Sequence, residues 1–335
     1  MRIIIDTADD ILYKSFYVYG LMKHFGPHNV SFSGDPFKDL SWQSRNSKSM
    51  RFVIVDGGCE KRFIVACNDT WNVIGELYDW CDVYGSVNAN YANSPHHYHK
   101  KLVSLCPSFA VRCWGVSQTV VRAFRNYSRD EKNARKFFGK YKRLLQRPVY
   151  EDYIASSDVK SDSYVFMLST LWYSDEWNKN DEQVNSRRAM FIRACREVGA
   201  DFEGGLVSQG KGRSSEQLFS DCLSQGVSSK KWVTKTKESA IVFNTPAFWN
   251  CHGWKLGEYL AMGKAIVSTE LSNDLPAPLE HGKNIHYVDM TKEAMKEAID
   301  YLIRHPEYRK RLEEGASLYW KSYGTPEASL KLLGV

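Results

Sequence analysis

What most constrains this chain is its rhythm: short apolar runs that read as strands alternate with stretches of helical periodicity. RIIID (2–6), RFVIVDGG (51–58), RFIVACND (62–69), CDVYGSVNA (81–89) and LVSLCPSFAVRCWG (102–115) form a first series, with a periodic segment near Tyr13 to Phe25. A second series opens with SYVFMLSTLW (163–172). It continues through a helix near Asn185 to Val198, then DFEGGLV (201–207), ESAIVFNTP (238–246), KAIVST (264–269) and NIHYVD (284–289). Two helices at about 291–304 and 307–321 close the chain. Strands alternating with helices imply an α/β fold with parallel sheets covered on both faces. Two such series in 335 residues imply two doubly wound domains. The polar, aperiodic stretch YEDYIASSDVKSDS (150–163) reads as the link between them, giving domains at 1–155 and 156–318.

Composition narrows the class. Apolar content of 43% and charged content of 25% are those of an ordinary globular protein. No run of 18 apolar residues is present, so no membrane-spanning helix is expected. The first residues, MRIIIDTADD, lack the layout of a secretion signal and read as a strand entering a loop. Eight cysteines without a C-x-x-C pair read as reduced core thiols in a cytosolic protein, and zinc is not expected. The net charge of +6 is local in origin: Arg122 to Arg147 holds ten Lys or Arg against two acids, so the remainder sums to −2.

Doubly wound sheets bind ligands at the carboxyl ends of their strands. Between the strand ending near Asn244 and a helix starting near Trp254 lies such a loop, residues 245–253. Gly253 would let backbone N–H groups close on an anion at the helix N-terminus. Leu256, Tyr259, Leu260 and Gly263 share one helical face, and Glu258 falls roughly 200° from Leu256, off that face. Glu258 is suited to accept hydrogen bonds from ligand hydroxyls such as those of a ribose. A solvated surface glutamate is the plainer alternative.

The stretch GWKLGEYLAMGKAIV (253–267) resembles the C-terminal signature of retaining GT-B glycosyltransferases of the "glycosyl transferases group 1" type, in their bacterial polysaccharide-assembly branch. Glu258 stands where that signature has its second glutamate, and Gly263 and Ile266 follow at matching offsets, with Ala265 in place of proline. Farther on, LPAPLEHGKNIHYV (275–288) resembles the family's later loop and final strand, through Glu280, Gly282 and Asn284. The motif match covers about forty residues. It implies two Rossmann-like domains facing a central cleft, with acceptor bound by the first and nucleotide sugar by the second, and with the last helix (319–335) returning to the first domain. Glu258 would hold the ribose. The diphosphate would meet the amides at His252, Gly253 and Trp254, with Lys255 and Thr170 beside them. The chain departs from the pattern twice: Asn250 replaces the first glutamate, and no Arg–Lys pair follows the first strand of the second domain. Arg187 and Arg188 are the alternative partners for phosphate charge. The donor would be a UDP- or GDP-sugar. With no D-x-D motif and no cofactor expected, transfer would be independent of metal.

Further candidates come from elsewhere in the chain. In SPHHYHKK, His96, His97 and His99 match a region where the family often has a histidine near the donor sugar; exposed loop histidines are the alternative. Asp6 ends the first strand and is placed either to line the cleft or to cap the next helix. His281 adjoins Glu280 but carries little signal. From Glu131 to Gln146, Ala134, Phe137, Phe138, Tyr141, Leu144 and Leu145 form one helical stripe, while Lys132, Arg135, Lys136, Lys140, Lys142 and Arg143 cover the rest. Such a helix suits the inner face of an anionic membrane carrying lipid-linked acceptors. It equally suits a core helix with a solvated face, or an anionic glycan. Two rival functions stay open. One is a GT-B nucleotide-sugar epimerase or inactive relative; the other is a nucleic-acid-binding protein using the basic 122–147 segment, though no nucleic-acid motif accompanies it.

Overall fold

The computed structural model describes residues 1–8, 10–127, 133–154, 159–172, 178–209 and 214–335. The chain divides into two compact units. The first comprises Met1–Asp152, Asn273–Pro278 and Lys321–Val335; the second comprises Tyr153–Ser272 and Leu279–Trp320. Both are α/β, each built on a six-stranded sheet.

In the first unit the elements run β1 (Arg2–Ile5), α1 (Ile11–Phe25), β2 (Val30–Phe32), α2 (Trp42–Arg45), β3 (Ser49–Asp56), β4 (Cys59–Ala66), α3 (Gly75–Trp80), β5 (Val83–Ser86) and β6 (Leu102–Ser104). Then come α4 (Val116–Asn126), α5 (Ala134–Leu145) and α6 (Tyr150–Ile154). The sheet order is β2-β1-β3-β4-β5-β6. It departs from an all-parallel sheet at one strand: β3 runs antiparallel to both β1 and β4. The cause is local. Only Gly57 and Gly58, at φ 55° and 86°, separate β3 from β4, and a two-residue turn of this kind makes a hairpin, never a crossover. Phe52 and Phe63, paired across the hairpin, stack at 4.7 Å within the core. The run 102–115 supplies only three strand residues, and α6 occupies the start of the stretch expected to be an unstructured link.

The second unit runs β7 (Tyr164–Thr170), α7 (Asn178–Glu197), β8 (Asp201–Val207), α8 (Ser214–Leu218), β9 (Leu223–Ser224), α9 (Ser229–Glu238) and β10 (Ile241–Asn244). It continues with α10 (Trp254–Ala261), β11 (Ala265–Ser268), β12 (His286–Tyr287), α11 (Lys292–Arg304) and α12 (Pro306–Tyr319); α13 (Pro326–Leu332) lies in the first unit. Its sheet, in the order β12-β11-β10-β7-β8-β9, is parallel throughout. Strand β7 is apolar from Tyr164 to Leu168 because both faces are covered. Val165 and Met167 enter one core beside Phe191 and Phe243, while Tyr164, Phe166 and Leu168 pack on the other side against Val207 and Trp232. The order reverses between β7 and β10, so the carboxyl ends of these two strands flank the switch point where doubly wound sheets open a ligand crevice.

Candidate functional site

At that switch point β7 ends in Leu168, Ser169 and Thr170, and β10 ends in Asn244. Two cations from different helices converge there. Lys255, on the first turn of α10, donates from Nζ to the Leu168 carbonyl and, at 2.7 Å, to Ser169 Oγ. Arg188, on α7, donates from Nη1 to the Thr170 carbonyl at 3.0 Å. Of the two arginines singled out on this helix, Arg188 is buried and Arg187 half-buried. Lys255 is half-buried as a residue, with its ammonium turned inward. Burial pushes that ammonium down to about 7; Arg188 adds to the depression and Glu258 opposes it. Burial likewise holds Arg188 down at about 10, against the influence of Tyr259 and Cys251.

Glu258, one turn beyond Lys255, is 7% exposed. Its Oε1 accepts a hydrogen bond from the Tyr153 hydroxyl at 3.4 Å. The solvated alternative for this residue is thereby overturned: leaving the Leu256 face does not bring it to solvent. Glu258, Lys255, Arg188 and Thr170 thus form one polar group under the first turns of α10.

The loop that leads into α10 carries its unusual backbone elsewhere than expected. Gly253, the N-cap of α10, has φ −78° and ψ 156°, which any residue adopts, and a Cβ there would meet only Ala247 Cβ at 3.9 Å. Its conformation therefore does not demand glycine. What it offers is an N-cap with no side chain to engage the first-turn amides. The left-handed residues are Trp249 (φ 54°) and Asn250 (φ 57°). Two consecutive non-glycine residues in that region store roughly 1–3 kcal/mol each. Both are exposed, and Phe248 beneath them meets Trp172 edge-on at 4.9 Å. His252 is buried in the same loop, at 5% exposure.

Sequence reasoning missed a polar rim beside this group. Asn244 Nδ2 donates to Ser268 Oγ at 2.9 Å, and the Thr245 and Thr269 hydroxyls lie 3.1 Å apart. The available signal was the pair of strand endings FNT and VST, where small polar residues replace apolar ones at the carboxyl ends of neighbouring strands. The later matched loop is a structural turn. Asn284 Oδ1 accepts from the Glu280 amide at 2.7 Å, Gly282 is left-handed at φ 77°, and His281 Nδ1 accepts from the Tyr287 amide at 3.0 Å.

In the first unit, His96 and His97 are exposed on a single 3-10 turn, and the His97 carbonyl accepts from the Tyr78 hydroxyl at 2.8 Å. His99 is half-buried, its Nε2 within 3.1 Å of both Ser94 Oγ and the Ser94 carbonyl. Asp6 neither lines an open surface nor caps a helix. It is fully buried between Arg45 (Nη2 to Oδ1, 2.8 Å) and Arg51 (Nε to Oδ2, 3.0 Å), and α1 is capped by Asp10 instead. Burial would raise the Asp6 carboxyl, but Arg45 and Arg51 outweigh it and hold it below its ordinary value. On α5, Phe137, Tyr141 and Leu144 of the stripe are buried, Phe138 and Leu145 are half-buried and Ala134 is exposed; Arg135, Lys136 and Arg143 are exposed at its flanks, and Lys140 pairs with Asp10 at 3.3 Å. Phe138, on the same helix, is half-buried and meets Tyr127 at 5.2 Å. Lys132 lies outside the described residues.

No protein-family profile matches the chain, and no curated protein is significantly similar to it in sequence. Among solved structures it is similar to a glycosyltransferase from Rickettsia africae, at 13% identity and TM-score 0.42 over 79% of this chain and 65% of that one. It is similar to WaaG, a glycosyltransferase involved in lipopolysaccharide biosynthesis, at 13% identity and TM-score 0.40 over 96% and 95%. It is also similar to a putative UDP-N-acetylglucosamine 2-epimerase from Listeria monocytogenes, at 13% identity and TM-score 0.39 over 77% and 60%. The chain thus spans about two thirds of the Rickettsia protein's length. Likeness of this degree assigns no activity; the case for one rests on the chain's own residues.

Proposed function

We propose that this chain is a GT-B glycosyltransferase, which moves a sugar from a nucleoside diphosphate sugar to a hydroxyl of a glycan or lipid-linked acceptor. The observation that carries the reading is the convergence of Lys255 and Arg188 at the switch point, beneath the helix that resembles the family's donor signature. These two cations hydrogen-bond to neutral oxygens, and Glu258 is the carboxylate that acts on Lys255, a balance that a bound diphosphate would complete. They take the place of the Arg–Lys pair missing after β7, supplied from α7 and α10 instead.

In this reading the amides at 252–255 and Lys255 receive the diphosphate, and Glu258 accepts from the ribose hydroxyls. Asn250 donates to and accepts from the sugar where the family has a carboxylate. Breaking the anomeric bond places charge on the leaving diphosphate, and fixed N–H dipoles with an inward-turned ammonium stabilise that charge as it develops. The first unit receives the acceptor, with one of His96, His97 and His99 orienting it or handling its proton. Retention of configuration, independence of metal, a UDP or GDP donor, and a place in bacterial surface-polysaccharide assembly in the cytoplasm follow the motif resemblance and the lack of a D-x-D sequence.

The test is thermal stabilisation by UDP-, GDP-, dTDP- and CMP-sugars of the wild type, Glu258→Ala and Lys255→Met. A ligand at 100 times its dissociation constant adds about 2.7 kcal/mol. One nucleotide class is expected to stabilise the wild type and to lose most of that effect in both variants. Absence of any shift at millimolar ligand would favour an inactive relative. Turnover of donor with no acceptor present would favour an epimerase, the reading that the replacement of glutamate by Asn250 keeps in play.

A further inference from the structure

Helix α4 wears its amphipathy inside out. Val116, Val120, Val121 and Phe124 are 63%, 46%, 48% and 68% exposed, while the small or polar Thr119, Ala123 and Asn126 are buried. Residues 116, 120 and 124 stack at i, i+4 and i+8, so the exposed apolar groups form a row along the helix. The row continues sideways, for Phe124 meets Phe138 of α5 at 5.2 Å and Phe138 meets Tyr127 at 5.2 Å. Cations border it: Arg125, Arg135, Lys136, Lys142 and Arg143 stand on the outer faces of α4 and α5.

Next to the row, along the face of α4 that carries Ser117, Val121 and Arg125, lies a cavity of about 610 Å³ shared with α1. Met22, Trp114 and Val121 give it apolar walls; Arg122 and Arg125 line it as cations, and a third lining cation, Lys23, pairs with Glu327 at 2.7 Å. An apolar row, a cationic border and an adjoining cationic cavity therefore occur on one helix.

We propose that α4 docks flat on an anionic bilayer, with its valines and Phe124 entering the headgroup boundary and the surrounding Lys and Arg meeting lipid phosphates. The charge pattern selects this occupant. A second copy joined through the same face would bring two cationic borders together, which repels. An acidic glycan would answer the cations and leave the apolar row in water. A bilayer answers both. At 11 residues α4 is about 16 Å long, too short to span, and among the described residues no helix is long and apolar enough to cross a membrane. The contact is peripheral. It extends the membrane face expected on α5, whose exposed Arg135, Lys136 and Arg143 border the row, onto its neighbour. This inference goes beyond the glycosyl-transfer reading and does not depend on it.

The experiment is co-sedimentation of the full chain with phosphatidylcholine vesicles, with and without about 30 mol% phosphatidylglycerol. The wild type is expected to pellet with the anionic vesicles only, and Phe124→Asp/Val121→Asp to bind about tenfold more weakly. Arg135→Glu/Arg143→Glu is expected to weaken binding as well, and with it the salt dependence. Because the altered side chains lie on the outer faces of their helices, melting curves matching the wild type check that the variants fold. The proposal is overturned if the wild type stays in the supernatant, if it binds neutral vesicles equally well, or if Phe124→Asp/Val121→Asp binds undiminished. It also fails if sedimentation velocity shows a dimer that this variant dissociates while vesicles capture nothing. Stabilisation by nucleotide sugars, measured on the same preparations, reads the catalytic proposal separately.

Discussion

With its ammonium pushed down to about 7 by burial and by Arg188, Lys255 loses its proton near neutrality in the free chain. A diphosphate beside it would favour the charged form and raise that value again. Below the free-chain value the proton is already present, and affinity is flat with pH. Above it each binding event must bring a proton in, so affinity falls as pH rises toward the bound-state value. Calorimetry at about pH 8 in two buffers of different ionisation enthalpy is expected to show proton uptake on nucleotide binding, and Lys255→Met to abolish it. Equal heats in both buffers would separate Lys255 from the diphosphate. The site was legible in the sequence to the extent that it lies within one contiguous motif: Glu258 and Lys255 stand out from GWKLGEYL. Arg187 and Arg188 are equally eligible from the sequence, and only the packing of α7 brings Arg188 to the Thr170 carbonyl. The left-handed Trp249 and Asn250 left no signal, because neither stands in a turn pattern that announces that backbone.

Among the elements, α10 depends on how it stops as much as on how it starts. Gly263, just past its end, is left-handed at φ 61°, and a Cβ there would lie 2.2 Å from Ser317 Oγ on α12. Gly263→Ala is expected to cost about 1–3 kcal/mol in urea unfolding, from backbone strain together with the clash. Adding Ser317→Ala should recover the clash and leave about 1–2 kcal/mol of strain. Full recovery would mean that the conformation itself costs nothing. Gly253→Ala, by contrast, should leave stability within about 1 kcal/mol of wild type. Its effect is expected on nucleotide binding. Strands buried on both faces, such as β7 and β10, are visible in the sequence as apolar runs. The run 102–115 looks the same, yet it pairs over only Leu102–Ser104, because burial outside a sheet selects the same residues as burial within one. In α4, Val116, Val120 and Phe124 repeat at helical spacing in the sequence, but the spacing alone does not tell which way such a row faces, and here it faces outward.

For the molecule as a whole, the division into units is not a division of the sequence into halves. Asn273–Pro278 and Lys321–Val335 belong with the first 152 residues. The internal segment is held by hydrogen bonds: the Asp274 amide donates to the Ala89 carbonyl at 2.8 Å, the Tyr91 amide donates to the Asp274 carboxylate at 2.7 Å, and Ser104 Oγ donates to the Asp274 carbonyl at 2.8 Å. At the end of the chain, α13 lays Pro326 against Gly20 of α1, and Leu333 just beyond it lies against Gly85 of β5. A fragment of residues 1–152 lacks both pieces. It is expected to show no cooperative melting transition, whereas the full chain melts cooperatively by calorimetry. A sharp transition in the fragment would show the two returning segments to be dispensable.

That interleaving bears on how such a protein can change by recombination. If one unit receives the donor and the other the acceptor, the economical way to pair a new donor with an old acceptor is to exchange a unit whole. Here that exchange needs four junctions, after residues 152, 272, 278 and 320, instead of one. A single crossover anywhere in the gene would leave one unit built from two parents, with Asp274 or α13 meeting a foreign partner. New specificities in this lineage should therefore arise more readily by substitution around the strand ends than by shuffling of modules.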